Sequence, residues 1–273
     1  MTNQHNIWQT IESKIEQYNS LGLETMKDYN KFYLYSIIAH STAIEGSTLS
    51  EKDAVLLFDE GLTGGKKPIA EYLMNLDLKL AYEFAAQAAC AKTKISPEFL
   101  KTLNVHVMKN TGSINNVAVG TFNSSCGDYR LCGVTAGIGG ESYMNYQKIP
   151  GKVIELCNEI NKRLDGATNL QDAYNLSFDA HFNLLTIHPW LDGNGRTGRL
   201  LMNYIQMYHG LHLTKIYRND KADYISALVK SREDESNAPI HYFMAKQHLK
   251  TIKTEIDNHQ KEKHKNEGFS FLF

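Results

Sequence analysis

Apolar residues recur at intervals of three and four along most of this chain, the spacing that lines up one face of a helix. The first stretch, "IWQTIESKIEQY", places Ile7, Ile11, Ile15 and Tyr18 on one such face. A second, "TMKDYNKFYLYSIIAHSTAIEG", keeps the pattern until Gly46. Glycine favours a helix C-terminus because it accepts a left-handed backbone. Thr48 and Glu51 then stand at capping-box spacing for a short third helix. "KKPIAEYLMNLDLKLAYEFAAQAAC" predicts a long helix rich in Ala and Leu. Ser96, Pro97 and Glu98 supply an N-cap, a first-turn proline and an acidic first turn for "EFLKTLNVHVMK".

The pattern lapses between Gly112 and Gly140. "VAVGTFNSSCGDYRLCGVTAGIGG" carries glycine, serine and β-branched residues without a helical face, and predicts an irregular loop or hairpin. Helical spacing resumes in "KVIELCNEINKRL" and "LQDAYNLSFDAHFNLLTI". It returns after a break in "LLMNYIQMYHG", "DKADYISALVKS" and "IHYFMAKQHLKTIKTEI". The charged tail "HQKEKHKNEG" is expected to fray. No internal repeat or low-complexity linker interrupts the order, so the expected fold is all-α with one small β element.

Composition narrows the class without naming a chemistry. With 273 residues, 42% hydrophobic and 22% charged, the chain can bury a core without disulfides or metals. A formal net charge of -1 argues against a large non-specific nucleic-acid surface. Cys90, Cys126, Cys132 and Cys157 show no C-x-x-C spacing and read as free thiols of a reducing compartment. The polar start "MTNQHNIWQTIESKIEQ" lacks a cationic-then-apolar leader, and no run approaches the roughly 18 apolar residues of a membrane span. A cytoplasmic protein with no membrane partner is expected.

The break between two apolar helices is where the chemistry concentrates. "HPWLDGNGRTGR", residues 188–199, packs a histidine, an aspartate, an asparagine, three glycines and two arginines into one turn-and-helix segment. Glycines in a helix interior cost roughly 1 kcal/mol each, so the preceding helix should end near His188 and a new one should start near Asn194. The first N–H groups of that helix have no carbonyl partners, and its dipole is positive at that end. Gly193 and Gly195 let the backbone approach a ligand closely. Arg196 and Arg199, three residues apart, place two cationic forks on one helical face. Together with Asn194 these features describe an anion pocket able to hold more than one phosphate. His188 is a base candidate at its rim, and Asp192 a hard oxygen ligand suited to Mg²⁺ shared with phosphates.

Each feature taken alone has an ordinary structural reading: a helix-ending histidine, a D-G-N-G turn, two solvated arginines. Their coincidence favours the phosphate site. It is not a Walker loop, because no G-K-[ST] follows the glycines. A metal hydrolase built on His181, His188 and Asp192 is a rival, since the two histidines are seven residues apart and could share a helix face.

The segment resembles the signature of the Fic-domain family, H-P-F-x-D-G-N-G-R-x-x-R, with Trp190 in place of the usual Phe. The resemblance implies an all-α, Fic-type helical bundle with a small β-hairpin flap over the active site. It implies a protein adenylyltransferase that moves AMP from ATP to a Ser, Thr or Tyr hydroxyl and releases pyrophosphate, with Mg²⁺ (or Mn²⁺) as the metal. His188 would deprotonate the target hydroxyl. Asp192 would hold the metal, Gly193, Asn194 and Gly195 would cradle the anion, and Arg196 and Arg199 would bind the outer phosphates. Upstream, "STAIEG" is similar to the family's inhibitory pattern [S/T]-x-x-x-E-[G/N], with Ser41, Glu45 and Gly46 at the specified positions. The class with an inhibitory helix N-terminal to the core pairs that glutamate with the second motif arginine, here Arg199. Some members of the class also use it to remove AMP.

"GDYR" and the segment to Gly140, residues 127–140, stand where the family has its flap, onto which a target protein would dock. The implied organisation is an N-terminal helical region over 1–95 carrying the inhibitory helix, a catalytic core over 96–231, and a C-terminal helix with charged tail over 232–273. A phosphotransferase or other diphosphate-cleaving Fic variant, or a nucleotide-binding regulatory module, stays open as an alternative. A homo-oligomer is compatible with the sequence, and the target protein is not legible in it.

Overall fold

The computed structural model describes residues 2–26, 28–136 and 140–269. Ten helices and one hairpin follow in order among them: α1 Thr2–Ser20, α2 Tyr29–Ile44, α3 Glu51–Glu60, α4 Ile69–Cys90, α5 Pro97–Val107, β1 Ile114–Val117, β2 Gly120–Asn123, α6 Ile149–Leu164, α7 Leu170–Ile187, α8 Asn194–Tyr208, α9 Lys221–Glu233 and α10 Ala238–Phe269. No helix among the described residues is long and apolar enough to cross a membrane. All four cysteines are free thiols.

The chain divides by packing into two compact units, residues 38–213 and residues 1–37 with 214–273. This division follows contacts, whereas the expected stretches 1–95, 96–231 and 232–273 follow motif content. In the second unit α10 packs against both α1 and α9. Trp8, Ile11 and Tyr18 of α1 and Ile240, Met244, Ile252 and Ile256 of α10 are buried there. The tail expected to fray is helical to Phe269. Lys, Glu and Gln are good helix formers, and α10 extends through them without a break.

The larger unit is organised around α8. It lies against α7, α4 and α5, and α6 covers α7. Nearly every residue of α8 from Asn194 to Tyr208 is buried, the polar ones included. Those polar side chains find partners: Thr197 accepts from Asn104 Nδ2, Asn203 donates to the Tyr82 hydroxyl and Gln206 to Ser177 Oγ. A helix buried all round is expected to sit at the centre of its unit, and this one does so with most of its polar groups satisfied, Arg196 Nε and Asn203 Oδ1 excepted.

Local sequence signals explain most boundaries. Ser96 caps α5 by accepting from Phe99 N, with Pro97 in the first turn, and Asn169 caps α7 by accepting from Asp172 N. Gly46 and Gly210 take positive φ values after α2 and α8. The capping box of α3 differs from expectation. Ser50 and Asp53 form it reciprocally, and Thr48 instead donates from its N–H and hydroxyl to Glu71 of α4. Both residues are competent caps; the tertiary partner Glu71 takes the first and leaves the role to the second.

The β element is a two-strand antiparallel hairpin, with Ile114 opposite Asn123 and Val117 opposite Gly120. It precedes residues 127–140. From that later segment one isolated antiparallel bridge joins Thr135 to Ser142, just beyond it, and Gly137–Gly139 lie outside the described residues.

Candidate active site

The site forms where α7 stops and α8 starts. His188 is the C-cap of α7, with φ 51° and its N–H donating to Leu184 O at 2.9 Å. Histidine is among the few non-glycine residues that enter this left-handed region readily, and the turn swings its ring out of the helix line. Pro189 cannot extend the helix. The turn is then fastened by Asn194, which accepts from Trp190 N at 3.1 Å and donates to Trp190 O at 2.8 Å. The side chain of Asn194 is therefore committed to the loop, and what it offers an anion is its backbone N–H.

Gly193 has φ 81°, and a Cβ there would come within 2.8 Å of both Asn104 Nδ2 and Met108 Sδ. The first helical bond of α8 runs from Thr197 N to Gly193 O, so the N–H groups of Asn194, Gly195 and Arg196 precede the intrahelical ladder.

The two arginines are buried, not solvated. Arg196 is 1% exposed; its guanidinium reaches Val107 O at 3.3 Å, Met108 Sδ at 3.2 Å and Asp192 Oδ2 at 3.5 Å, while its buried Nε has no partner. Desolvation pushes its pKa down, as expected for a cation held by weak acceptors. Such a group is held short of donors' partners and suits an incoming anion. Asp192 stands at the rim with its side chain 66% exposed, its Oδ1 accepting from Gly193 N.

Arg199 faces the end of α2. Its Nε donates to Ser41 Oγ at 2.8 Å, and its Nη2 donates to Ser41 O at 2.9 Å and to Glu45 Oε1 at 2.5 Å. Ser41 and Glu45 are one helical turn apart, and Gly46, at φ 106°, ends the helix directly after them. Glu45 also presses on Gly195: a Cβ at that position would lie 2.2 Å from Glu45 Oε1. The glycine is thus needed for a carboxylate to reach the N-terminus of α8. A carboxylate already stands where the sequence reading places a phosphate.

His181 does not join this group as a ligand. It is fully buried in α7, where Nδ1 would be 3.6 Å from a Cβ on Gly198, and burial with the nearby Arg199 charge pushes its pKa down to about 3. Among the described residues no set of three His, Cys, Asp or Glu side chains is arranged to hold a metal ion. For Mg²⁺ the described residues at the rim of the cradle offer the exposed carboxylate of Asp192. That donor fits an ion whose remaining ligands are phosphate oxygens and water, and Asp192 would hold it there to neutralise phosphate charge.

Three further residues at the site make contacts that sequence reasoning did not assign. Tyr143 stacks on the His188 ring with centroids 3.8 Å apart and planes 18° off parallel. Trp190, wholly buried, donates its indole N–H to Gly127 O at 3.1 Å. Arg130, also wholly buried, donates from its backbone N to Pro189 O and from its side chain to His188 O. Trp190 was legible as a motif position and Arg130 as part of "GDYR" in the expected flap, whereas Tyr143 carried no sequence signal.

A helical unit with a buried central helix, an anion-ready N-terminus and a base candidate at the preceding C-cap is the Fic arrangement. Residues 94–206 match the Fic/DOC family, so the chain carries a Fic/DOC domain over that stretch. Protein adenylyltransferase fic-1 of Caenorhabditis briggsae is 26% identical over 200 residues, covering 72% of this chain and 36% of that protein. Protein adenylyltransferase Fic of Drosophila persimilis is 24% identical over 230 residues, covering 83% and 42%. The chain thus spans well under half the length of these curated relatives. The fold is shared with a Fic-domain-containing signalling protein from Bacteroides thetaiotaomicron, at TM-score 0.74 and 20% identity over 90% of this chain and 96% of that one. It is shared equally with Fic-1 from C. elegans, at TM-score 0.73 and 22% identity over 96% and 74%.

Proposed function

We propose that this chain is a protein adenylyltransferase, restrained by its own Glu45. The observation that carries the reading is the Glu45 carboxylate lodged between Arg199 and Gly195 at the N-terminus of α8. An anion cradle that holds a carboxylate of its own chain has the chemistry to hold a phosphate in its place. The names of the nematode and fly relatives support the choice of reaction.

In this reading the N–H groups of residues 194–196, with Arg196 and Arg199, bind the ATP phosphates electrostatically. His188 takes the proton of a target Ser, Thr or Tyr hydroxyl. The hydroxyl oxygen bonds to the α-phosphorus, the α–β anhydride bond breaks, and pyrophosphate leaves with that electron pair. Segment 127–140 is the docking element for the target, because the Thr135–Ser142 bridge pairs it with the stretch that carries Tyr143, which stacks on the His188 ring. Glu45 blocks the productive pose by holding Arg199 and adding negative charge where the γ-phosphate would lie.

ATP labelled at the α- or the γ-phosphate, incubated with lysate and with the native chain or Glu45→Gly, tests this. Protein labelling from the α-label only, stronger for Glu45→Gly, is expected. Labelling from the γ-label would make the chain a phosphotransferase, and no labelling by either protein would reduce it to a nucleotide-binding module.

A further inference from the structure

We infer that Arg130 is the positioning residue of the catalytic histidine, a single buried guanidinium that fixes His188 and both legs of the loop over it. The inference rests on His188 being the general base. Arg130 is 0% exposed, and no carboxylate pairs with it among the described residues. Its donors go to carbonyls only: Nε to His188 O at 2.8 Å, Nη1 to Cys132 O at 2.6 Å and Nη2 to Met144 O at 2.5 Å. Desolvation pushes its pKa down, offset only in part by the nearby Cys132 thiol.

A buried cation without a counter-charge is a poor stabilising device. Its planar fork, however, fixes three acceptors in one geometry, which an ammonium cannot do.

Those three acceptors are not equivalent. Cys132 and Met144 flank the segment that carries the Thr135–Ser142 bridge, so Nη1 and Nη2 tie its two legs together. Nε holds the carbonyl of the residue whose ring must reach the substrate hydroxyl. The backbone N of Arg130 holds the next carbonyl, Pro189 O, at 3.0 Å, and Trp190 returns a bond from its indole to Gly127 O. Three consecutive motif residues, His188, Pro189 and Trp190, are therefore registered on the 127–130 turn. Tyr143, next to the leg that Nη2 holds, stacks on the His188 ring. The left-handed C-cap alone fixes where the histidine's backbone turns; Arg130 fixes that backbone relative to the loop that packs on its ring.

None of these contacts touches the anion cradle. Arg196 and Arg199 bond to other groups, and Gly195 faces Glu45. Loosening Arg130 should therefore slow proton removal and leave nucleotide binding in place.

The test uses the full chain carrying Glu45→Gly, compared with the same chain carrying Arg130→Lys or Arg130→Gln as well. With α-labelled ATP, kcat is expected to fall about tenfold for Arg130→Lys and about a hundredfold for Arg130→Gln, with the KM for ATP changed less than about threefold. Amide hydrogen exchange is followed in peptides from residues 131–136, 140–145 and 186–190, with α8 as the internal reference. Exchange is expected to rise at least about tenfold in those three and not in α8.

Unchanged kcat in the folded variants, or exchange that rises uniformly with α8, overturns the inference. Should Arg130→Gln fail to fold, Arg130→Lys, which keeps the charge and loses the fork, decides it alone. If the Glu45→Gly parent transfers no AMP, the proposed function fails, and the exchange pattern still decides whether Arg130 holds His188 and the loop.

Discussion

The carboxylate of Glu45 lies 2.5 Å from Nη2 of Arg199, across 154 residues of sequence, and the same oxygen blocks any side chain at Gly195. The guanidinium is 4% exposed at its side chain and the carboxylate 32%, so the pair is only partly screened by water. Ser41 holds Arg199 by two further bonds, which leaves the arginine in place when Glu45 moves away.

Glu45→Gly should raise AMP transfer, self-modification included, by about a hundredfold. Two like charges ~4 Å apart repel by a few kcal/mol at an effective dielectric of about 20, and each 1.4 kcal/mol is about tenfold in population. Arg199→Ala should not reproduce the gain, because it removes a phosphate ligand along with the clamp. Equal self-modification in the native chain and Glu45→Gly, at the same ATP and Mg²⁺, would show that the pair merely ends a helix.

His188→Ala should lose about 10²–10⁴ in transfer rate, the usual contribution of a general base. ATP affinity, read by titration calorimetry in the Glu45→Gly background, should be nearly unaltered because the α8 N-terminus is untouched. Retained transfer would assign proton removal elsewhere.

Asp192→Ala should weaken the metal dependence of turnover far more than it shifts the melting temperature. Its side chain is 66% exposed, and its contacts within the fold are Gly193 N and the long approach to Arg196. A melt that collapses in this variant would instead make the carboxylate a structural cap.

Trp190→Phe should cost at least about 1 kcal/mol of stability, the typical net worth of one buried hydrogen bond. Gly127 O loses the indole donor at 3.1 Å, and the space the smaller phenyl ring leaves at this wholly buried position adds to that cost. Urea denaturation of the two proteins measures the difference; an unchanged midpoint would mean another donor replaces the indole.

Stability should fall as pH drops below about 6.5. His181 is neutral in the folded state, its pKa pushed from 6.5 to about 3 by burial, whereas in the unfolded chain it takes up a proton near 6.5. The unfolded state then binds more protons, so each pH unit lost between these values costs up to about 1.4 kcal/mol. Burial shifts His106 and His209 downward as well, with the same sign. Carboxylates held low by hydrogen bonds, such as Asp53 at about 2, lose their contribution only at more acid pH. Denaturation curves between pH 7 and 5 on the native chain and His181→Gln separate the histidine: a slope that survives the substitution intact would rule it out as the cause.

Within a few residues, the sequence was a faithful guide. The run from Leu170 to Ile187 is α7 as read, Ser96 and Pro97 open α5, and the glycines after His188 mark the break before α8. These are decisions of backbone propensity and capping, made by groups close along the chain. The misreadings come where two local solutions were equally good. Thr48 and Ser50 could both cap α3, and only the approach of Glu71 chose between them. Strand-like residues filled 112–140, and only pairing placed the hairpin at 114–123.

The motif at 188–199 determined which chemical groups this protein brings to its site, because an anion-binding helix start is written in consecutive residues. Where those groups point was decided by the tertiary structure alone. Glu45 meets Arg199, Arg130 meets His188 and Trp190 meets Gly127 across 154, 58 and 63 residues. No local preference encodes such separations. They arise because Arg199, Arg130 and Trp190 are all buried, so their donors must find acceptors on whichever helix or loop packing brings against them.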